Sequence, residues 1–358
     1  VALLVFSMKV HYFNPGYEVT VEQGNSYYTP PRMVRRLRKD LQTLPLYYAQ
    51  PHEGVYLSSP IPEELMCERF IVDHDCISEV LPWGWAPELK GLFPYFELPY
   101  SLEEMRLYSS RTLGIELWHA VYRQALSLFR FAPPREVTQE ESVEQGKWVL
   151  KEDFSSSGRG IEFVTPEQDP NAIIARRLGK QPGKRLFIEP FYEIAEERGY
   201  EFWRTKVGEI IYLGCHRAMT EGGRYKGSYL GLPTTGDEAY IDALVAGLRE
   251  LPLGDYTGVI GVDSALYCDG AKERFVPCLE VNVRPTMGYV ALCIQRDWLS
   301  KGRRGRFMIL SKGDALLQSL TSLKPLYLSD KNAGHTPGLY PLTPILEDTY
   351  FVACLQVL

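Results

Sequence analysis

The sequence predicts a mixed α/β and α+β protein, and three observations carry that prediction. A chain of 358 residues is too long for one ordinary hydrophobic core, so two or three packed units are expected. Its first hundred residues alternate between short apolar runs and a periodic helical stretch, as βαβ-type units do. From Val149 to Val283 it reads instead as strands punctuated by Gly-rich turns, with one helical interruption.

Bulk properties agree with a globular class and remove others. A hydrophobic share of 45% and a charged share of 23% sit near globular averages, which disfavours disordered, collagen-like and membrane classes. The net charge is −6, from 39 basic and 45 acidic residues that are interspersed, so no electropositive field exists to hold a nucleic-acid backbone. The one basic cluster, Arg32 to Lys39, carries Met33, Val34, Leu37 and Leu41 at helical spacing and reads as the wet face of an amphipathic helix. Seven cysteines are odd in number, scattered and free of CxxC pairs, and six histidines lack zinc-site spacings. Reduced thiols in a cytoplasmic compartment are expected, and a zinc enzyme is not. The apolar run Val1 to Phe6 lacks a basic flank and is too short to span a bilayer, so neither secretion nor a membrane partner is expected.

The elements follow in order. Val10 to Phe13 is a short strand closed by the turn Asn14-Pro15-Gly16. Thr29-Pro30-Pro31 then starts a helix running to Leu41, and Leu44 to Tyr48 is a second strand candidate. Pro82 to Pro87 reads as a strand end turning into a short helix, and the Pro- and aromatic-rich stretch Pro94 to Pro99 places a boundary near residue 100. Ser101-Leu102-Glu103-Glu104 is a capping box, because the hydroxyl and the carboxylate three residues on satisfy each other's free backbone donors. Leu113 to Phe129 is a long apolar helix broken by Ala132-Pro133-Pro134, and Glu238 to Glu250 is another, stopped by Pro252. Beyond Ser311 the chain shows a helix-like run to Leu323 and then Pro-rich connectors.

Two constellations point to chemistry. The first is a strand ending in Lys151, followed by Ser155-Ser156-Ser157-Gly158-Arg159-Gly160 and another strand, which can set an ammonium and several backbone N–H groups around a polyphosphate. It is not a P-loop, since no GK[ST] opens a helix. The second is Gly261-Val262-Asp263 followed by Leu279-Glu280-Val281-Asn282-Val283-Arg284. Alternation along a strand sends Glu280, Asn282 and Arg284 to one side. If the two strands form a hairpin with Asp263 opposite Glu280, the turn centre falls between Ala271 and Lys272, inside the turn-like stretch Asp269-Gly270-Ala271-Lys272. Two carboxylates and an amide oxygen gathered in this way repel unless they are protonated or cation-bound, and hard oxygen donors suit Mg²⁺.

Lys151 with its Gly-rich loop, Leu186-Phe187-Ile188-Glu189-Pro190-Phe191-Tyr192, a strand containing Glu201, then Asp263 and Glu280-x-Asn282-x-Arg284 resemble, in that order, the ATP-grasp superfamily. The resemblance covers roughly residues 101 to 300. It implies an ATP-grasp fold, two α+β subdomains sandwiching ATP, preceded by a βαβ-type N-terminal domain. The expected units are 1–100, then 101–188 with the loop, 189–310 with the metal site, and 311–358 as a C-terminal helix and tail packing on the core. The resemblance further implies that Lys151 contacts the α and β phosphates and that Ser155 to Gly160 close over the nucleotide. Glu189 and Tyr192 would form the adenine hinge, and Glu201 would be the ribose-binding acid. Asp263, Glu280 and Asn282 would hold two Mg²⁺ ions, with Mn²⁺ as a substitute, and Arg284 would face the transferred phosphoryl group. Arg111 stands where many relatives keep a lysine.

Residues 215–228, with His216, Arg217, Arg224 and Lys226, lie where relatives keep substrate-facing loops, and Arg217, nearest the preceding strand's end, is the first choice there. The implied activity is ATP-dependent ligation of a carboxylate to an amine or similar nucleophile. A catalytically silent nucleotide-binding module and a kinase are the alternatives. Small-molecule carboxylate and amine substrates, or a peptide, are the expected partners, and a homodimer is compatible with this reading.

Overall fold

Four short apolar segments near the N-terminus pair in parallel: β1 (Met8–Tyr12), β2 (Gly54–Tyr56), β3 (Phe70–Ile71) and β4 (Ile77–Pro82), in the order β3-β2-β1-β4. The computed structural model describes residues 8–129, 132–154, 160–180, 183–222, 224–232, 237–270, 272–329 and 336–358. The strand order reverses between β1 and β4, and there the carboxyl ends of both strands open side by side, the place where open α/β sheets present groups to a ligand. Asn14, fully buried, ties the two ends together: its amide donates to Gly84 O at 2.9 Å and accepts from Gly84 N at 3.0 Å. Helix Arg32–Asp40 forms where its periodicity places it. The strand expected at Leu44 to Tyr48 is instead a 3-10 turn, Leu44–Tyr47. Pro45 has no N–H to give a sheet ladder, and the turn buries Leu44 and Tyr47 in the core without strand pairing.

The capping box forms as written: Ser101 Oγ accepts from Glu104 N at 3.2 Å and Glu104 Oε2 accepts from Ser101 N at 2.8 Å. It starts helix Leu102–Ser109, and Ser110 then caps a separate helix, Arg111–Gln124. A small antiparallel sheet follows from β5 (Arg135–Val137), β6 (Trp148–Glu152), β7 (Ile161–Val164) and β8 (Leu186–Pro190), ordered β5-β8-β6-β7. Leu150 and Ile188 on one face of it pack with Ile173 and Ile174 of helix Pro170–Lys180, which leaves Lys151 and Glu189 on the other.

The rest of the chain builds a large sheet from β9 (Ile194–Arg204), β10 (Ile210–Glu221), β11 (Arg224–Leu230), β12 (Gly258–Asp269), β13 (Lys272–Asn282), β14 (Gly305–Ser311), β15 (Gly338–Pro341) and β16 (Phe351–Val357). Their order is β13-β12-β9-β10-β11-β14-β16-β15. Tyr200, Phe202, Ile260 and Val262 turn to one face and bury against helices Arg111–Gln124 and Glu238–Glu250. Helix Met287–Trp298 covers part of the other face, and the N-terminal unit docks there through Phe13, Leu44, Tyr47 and Trp83 against Val290, Ile294, Phe307 and Leu355. The stretch after Ser311 differs from its expected form: the helix is one turn, Ala315–Gln318, and β15 and β16 are integral strands of the sheet. Ala353, Cys354 and Leu355 are consecutive and fully buried, so both faces of β16 are covered, and the run lacks the alternation by which a half-exposed strand is recognised. No helix among the described residues is long and apolar enough to cross a membrane.

Candidate active site

Asp263 on β12 lies directly opposite Glu280 on β13, as the hairpin register predicts. The turn sits one residue earlier than uniform pairing requires, since Asp269 pairs with Lys272. The difference is absorbed by extra residues on β13: Asp263 to Ala265 on β12 faces the longer stretch Val276 to Glu280, which contains Pro277. Proline cannot donate to a ladder and is confined in sheets to edges and bulges, and β13 is an edge strand. Asn282 belongs to the same face: its Nδ2 donates to Asp263 Oδ2 at 3.1 Å. Glu280 Oε2 is 3.8 Å from Arg111 Nη1. Burial, first, and then the Glu280 and Glu201 charges push the Asp263 carboxyl up to about 7, with His216 and Arg284 pulling the other way.

Of these groups Glu280 and Arg111 line a cleft between the two antiparallel sheets, together with Ser110, Lys151, Glu189 and Cys278 among others. Lys151 and Glu189 enter from the small sheet as a buried ion pair, Nζ to Oε1 2.5 Å. Arg111 is fixed at the mouth: its Nε donates to Glu152 O at 2.7 Å and its backbone N to Asp153 Oδ1 at 2.9 Å. Residues 191–193 link the sheets, and Tyr192 packs its ring 5.4 Å from Tyr267. Gly160 has φ +73, a left-handed conformation that favours glycine, and its carbonyl accepts from Glu152 N. Ser155, Ser156, Ser157 and Gly158 lie outside the described residues.

Arg284, just past β13, is held by groups that the sequence reading did not single out. Its guanidinium lies 5.8 Å from the centre of the Trp83 ring and its Nη2 3.7 Å from Glu18 Oε1. Burial raises the Glu18 carboxyl above its ordinary range while Arg284 opposes the shift. Glu18, Tyr17 and Trp83 all come from the carboxyl ends of β1 and β4. The available signal was the turn Asn14-Pro15-Gly16, which ends β1 at the position where α/β sheets expose functional loops.

Two expected roles are not supported by the positions found. Cross-strand partners share a face, and Arg217 pairs with Arg198, whose neighbours Tyr200 and Phe202 face the helices. Arg217 is therefore on the opposite side of the sheet from Asp263 and Glu280, in an ion pair with Glu196. Glu201 is only 2% exposed, with Thr286 Oγ1 donating to its Oε1 at 2.5 Å and His216 Nε2 at 3.5 Å. A carboxylate enclosed this way is not open to ribose hydroxyls. His216 is itself 6% exposed, whereas Arg224 is exposed and Lys226 pairs with Glu221 at 3.2 Å.

Among the described residues no group of three or more His, Cys, Asp or Glu has metal-binding geometry. The set that does converge is two opposed carboxylates with one amide, an oxygen-rich combination in which burial and then charge repulsion raise Asp263, and both costs are of the kind a divalent cation relieves. The residues present thus fit Mg²⁺ by the chemistry of their donors.

No protein-family model matches this chain, and no curated protein matches it in sequence. Its structure does match solved ones. The N5-carboxyaminoimidazole synthetase of Staphylococcus aureus, complexed with ADP, aligns over 99% of this chain and 94% of its own, with a TM-score of 0.57 and 12% identity. The carboxyaminoimidazole ribonucleotide synthase of Aspergillus clavatus, complexed with ATP, covers 99% and 94%, with a TM-score of 0.53 and 14% identity. The N5-carboxyaminoimidazole ribonucleotide synthetase of Thermus thermophilus covers 98% and 93%, with a TM-score of 0.51 and 12% identity. At such identities the likeness establishes architecture: an ATP-grasp fold of two α+β subdomains preceded by a βαβ-type domain.

Proposed function

We propose that this chain is an ATP- and Mg²⁺-dependent ligase that activates a carboxylate as an acyl phosphate and passes it to an amine or similar nucleophile, releasing ADP and phosphate. The observation that carries this reading is the pairing of Asp263 with Glu280, Asn282 beside them, in register with a cleft whose other wall holds Lys151. The synthetases of the same fold that hold ADP or ATP support a nucleotide in that cleft. Asp263, Glu280 and Asn282 would hold the cations, with Mn²⁺ as a substitute; bound there, the metal neutralises charge on the transferring phosphoryl group. Lys151, its ammonium fixed by Glu189, directs a positive charge at the polyphosphate. Residues 189–192, running from the end of β8 into the link between the sheets, offer backbone groups to adenine, with Gly160 at the end of the loop that follows Lys151. Arg284, braced by Glu18 and Trp83, and Arg111, braced by Asp153, supply the remaining cations for the acyl phosphate. No protein nucleophile is required.

The test is ADP release from purified protein across a panel of carboxylates and amines. Turnover that needs both partners supports ligation. Phosphorylated product without an amine identifies a kinase, and nucleotide binding without turnover identifies a silent module. Asp263→Asn and Glu280→Gln are expected to lower Mg²⁺-dependent turnover at least 100-fold with an unchanged circular dichroism spectrum; full activity in both variants would exclude the metal assignment.

A further inference from the structure

A buried polar chain runs behind the proposed cation site, and nothing in the reaction just described employs it. Tyr225 Oη is 2.7 Å from Ser228 Oγ, which is 3.0 Å from His216 Nδ1. His216 Nε2 faces Glu201 Oε1, and Glu201 Oε2 has no hydrogen-bond partner. Ser228 is fully buried, and Glu201 and His216 nearly so.

Sheet register ties this chain to the cation-facing groups. One cross-strand row reads His216, Gly199, Asp263, Glu280, and the next reads Gly214, Glu201, Gly261, Asn282. His216, Asp263, Glu201 and Asn282 thus each stand beside a glycine. The imidazole occupies the space that side chains at Gly199 and Gly288 would fill, since a Cβ at either would collide with His216 Nε2. A Cβ at Gly261 would lie 3.0 Å from Glu201 Oε2. Diagonal neighbours on one sheet face are roughly 7–8 Å apart at Cα, well inside the range of a charge in a poorly screened site, and Glu201 is kept from an ion by its own enclosure, with Oε1 taken up by Thr286 and His216.

We infer that Glu201 is a buried third carboxylate that lends its charge to the Asp263–Glu280 cation site without ligating the ion, and that His216, anchored by Ser228 and Tyr225, is the positioning residue that holds it. This inference rests on the proposed Mg²⁺ nucleotide site. Groups that orient a metal site from behind the ligands typically contribute 10- to 100-fold in affinity.

The experiment measures Mn²⁺ binding in the presence of ADP by electron paramagnetic resonance, for the whole chain and its variants. His216→Ala and Glu201→Gln are each expected to weaken Mn²⁺ binding about 10- to 100-fold while ADP affinity at saturating metal changes less than about twofold. The double variant should bind no more weakly than the worse single one, because both changes remove the same contribution. His216→Gln, which keeps an amide donor, should restore binding to within a few-fold. If His216→Ala does not fold, Tyr225→Phe tests the same anchor with a shape-conserving change and should weaken binding about threefold or more. Wild-type affinity in His216→Ala or Tyr225→Phe, or additive losses in the double variant, would overturn the inference. Absence of Mn²⁺ binding by the wild-type chain would instead overturn the nucleotide-site reading on which it rests.

Discussion

Asp263 gives the site its most direct signature in solution. Burial, and then the Glu280 and Glu201 charges, push its carboxyl from an ordinary value near 3.8 up to about 7. Between those limits the folded state keeps a proton that the unfolded state has lost. The contribution of this group to stability is therefore greatest below pH 4 and falls as pH rises to about 7. Asp263→Asn removes the titration. In EDTA the variant should match the wild type near pH 4 and exceed it at pH 8 by about 2 kcal/mol, after allowing for solvent screening. Thermal melts from pH 4 to 8 measure this, and a gap that fails to widen with pH would show that the carboxyl is not destabilised by its neighbours. Adding Mg²⁺ and nucleotide should raise the wild-type melting temperature and not that of the variant.

At the scale of elements, the β12–β13 hairpin was legible because strand alternation and turn chemistry are local rules, and Asp263 and Glu280 obey both. The bulge that shifts its register was less legible, although Pro277 marks where a ladder cannot be continuous. The same alternation separates His216 from Arg217, and one residue of parity is the whole difference between the side that carries Asp263 and Glu280 and the helix-packed side. Helix Met287–Trp298 shows how an element serves the site: Thr286 caps it by accepting from Tyr289 N at 2.9 Å and also donates to Glu201. Gly288 in its first turn makes room for His216. Gly288→Ala should destabilise the protein by about 1–3 kcal/mol in chemical denaturation and weaken Mn²⁺ binding in parallel. An unperturbed variant would mean that the imidazole can move aside at no cost.

For the whole molecule, the order of motifs announced two α+β subdomains, and the structure builds them on two antiparallel sheets with a cleft between them. The grip of Glu18, Tyr17 and Trp83 on Arg284 was not legible, because it joins residues separated by 200 to 270 positions through the docking of the N-terminal unit onto the large sheet. Periodicity and spacing carry no information about such docking. The burial of Glu201 was not legible for a related reason: it is set by His216 from β10 and by Thr286 and Gly288 at the start of helix Met287–Trp298.

In the proposed function both sheets close on one nucleotide whose cations sit between Asp263 and Glu280. A crystal structure with Mn²⁺ and a non-hydrolysable ATP analogue, with the metal located by anomalous scattering, tests it most directly. Manganese bonded to the Asp263 and Glu280 carboxylates, with the polyphosphate reaching Lys151, is the predicted result; metal bound elsewhere, or a nucleotide outside this cleft, would contradict it.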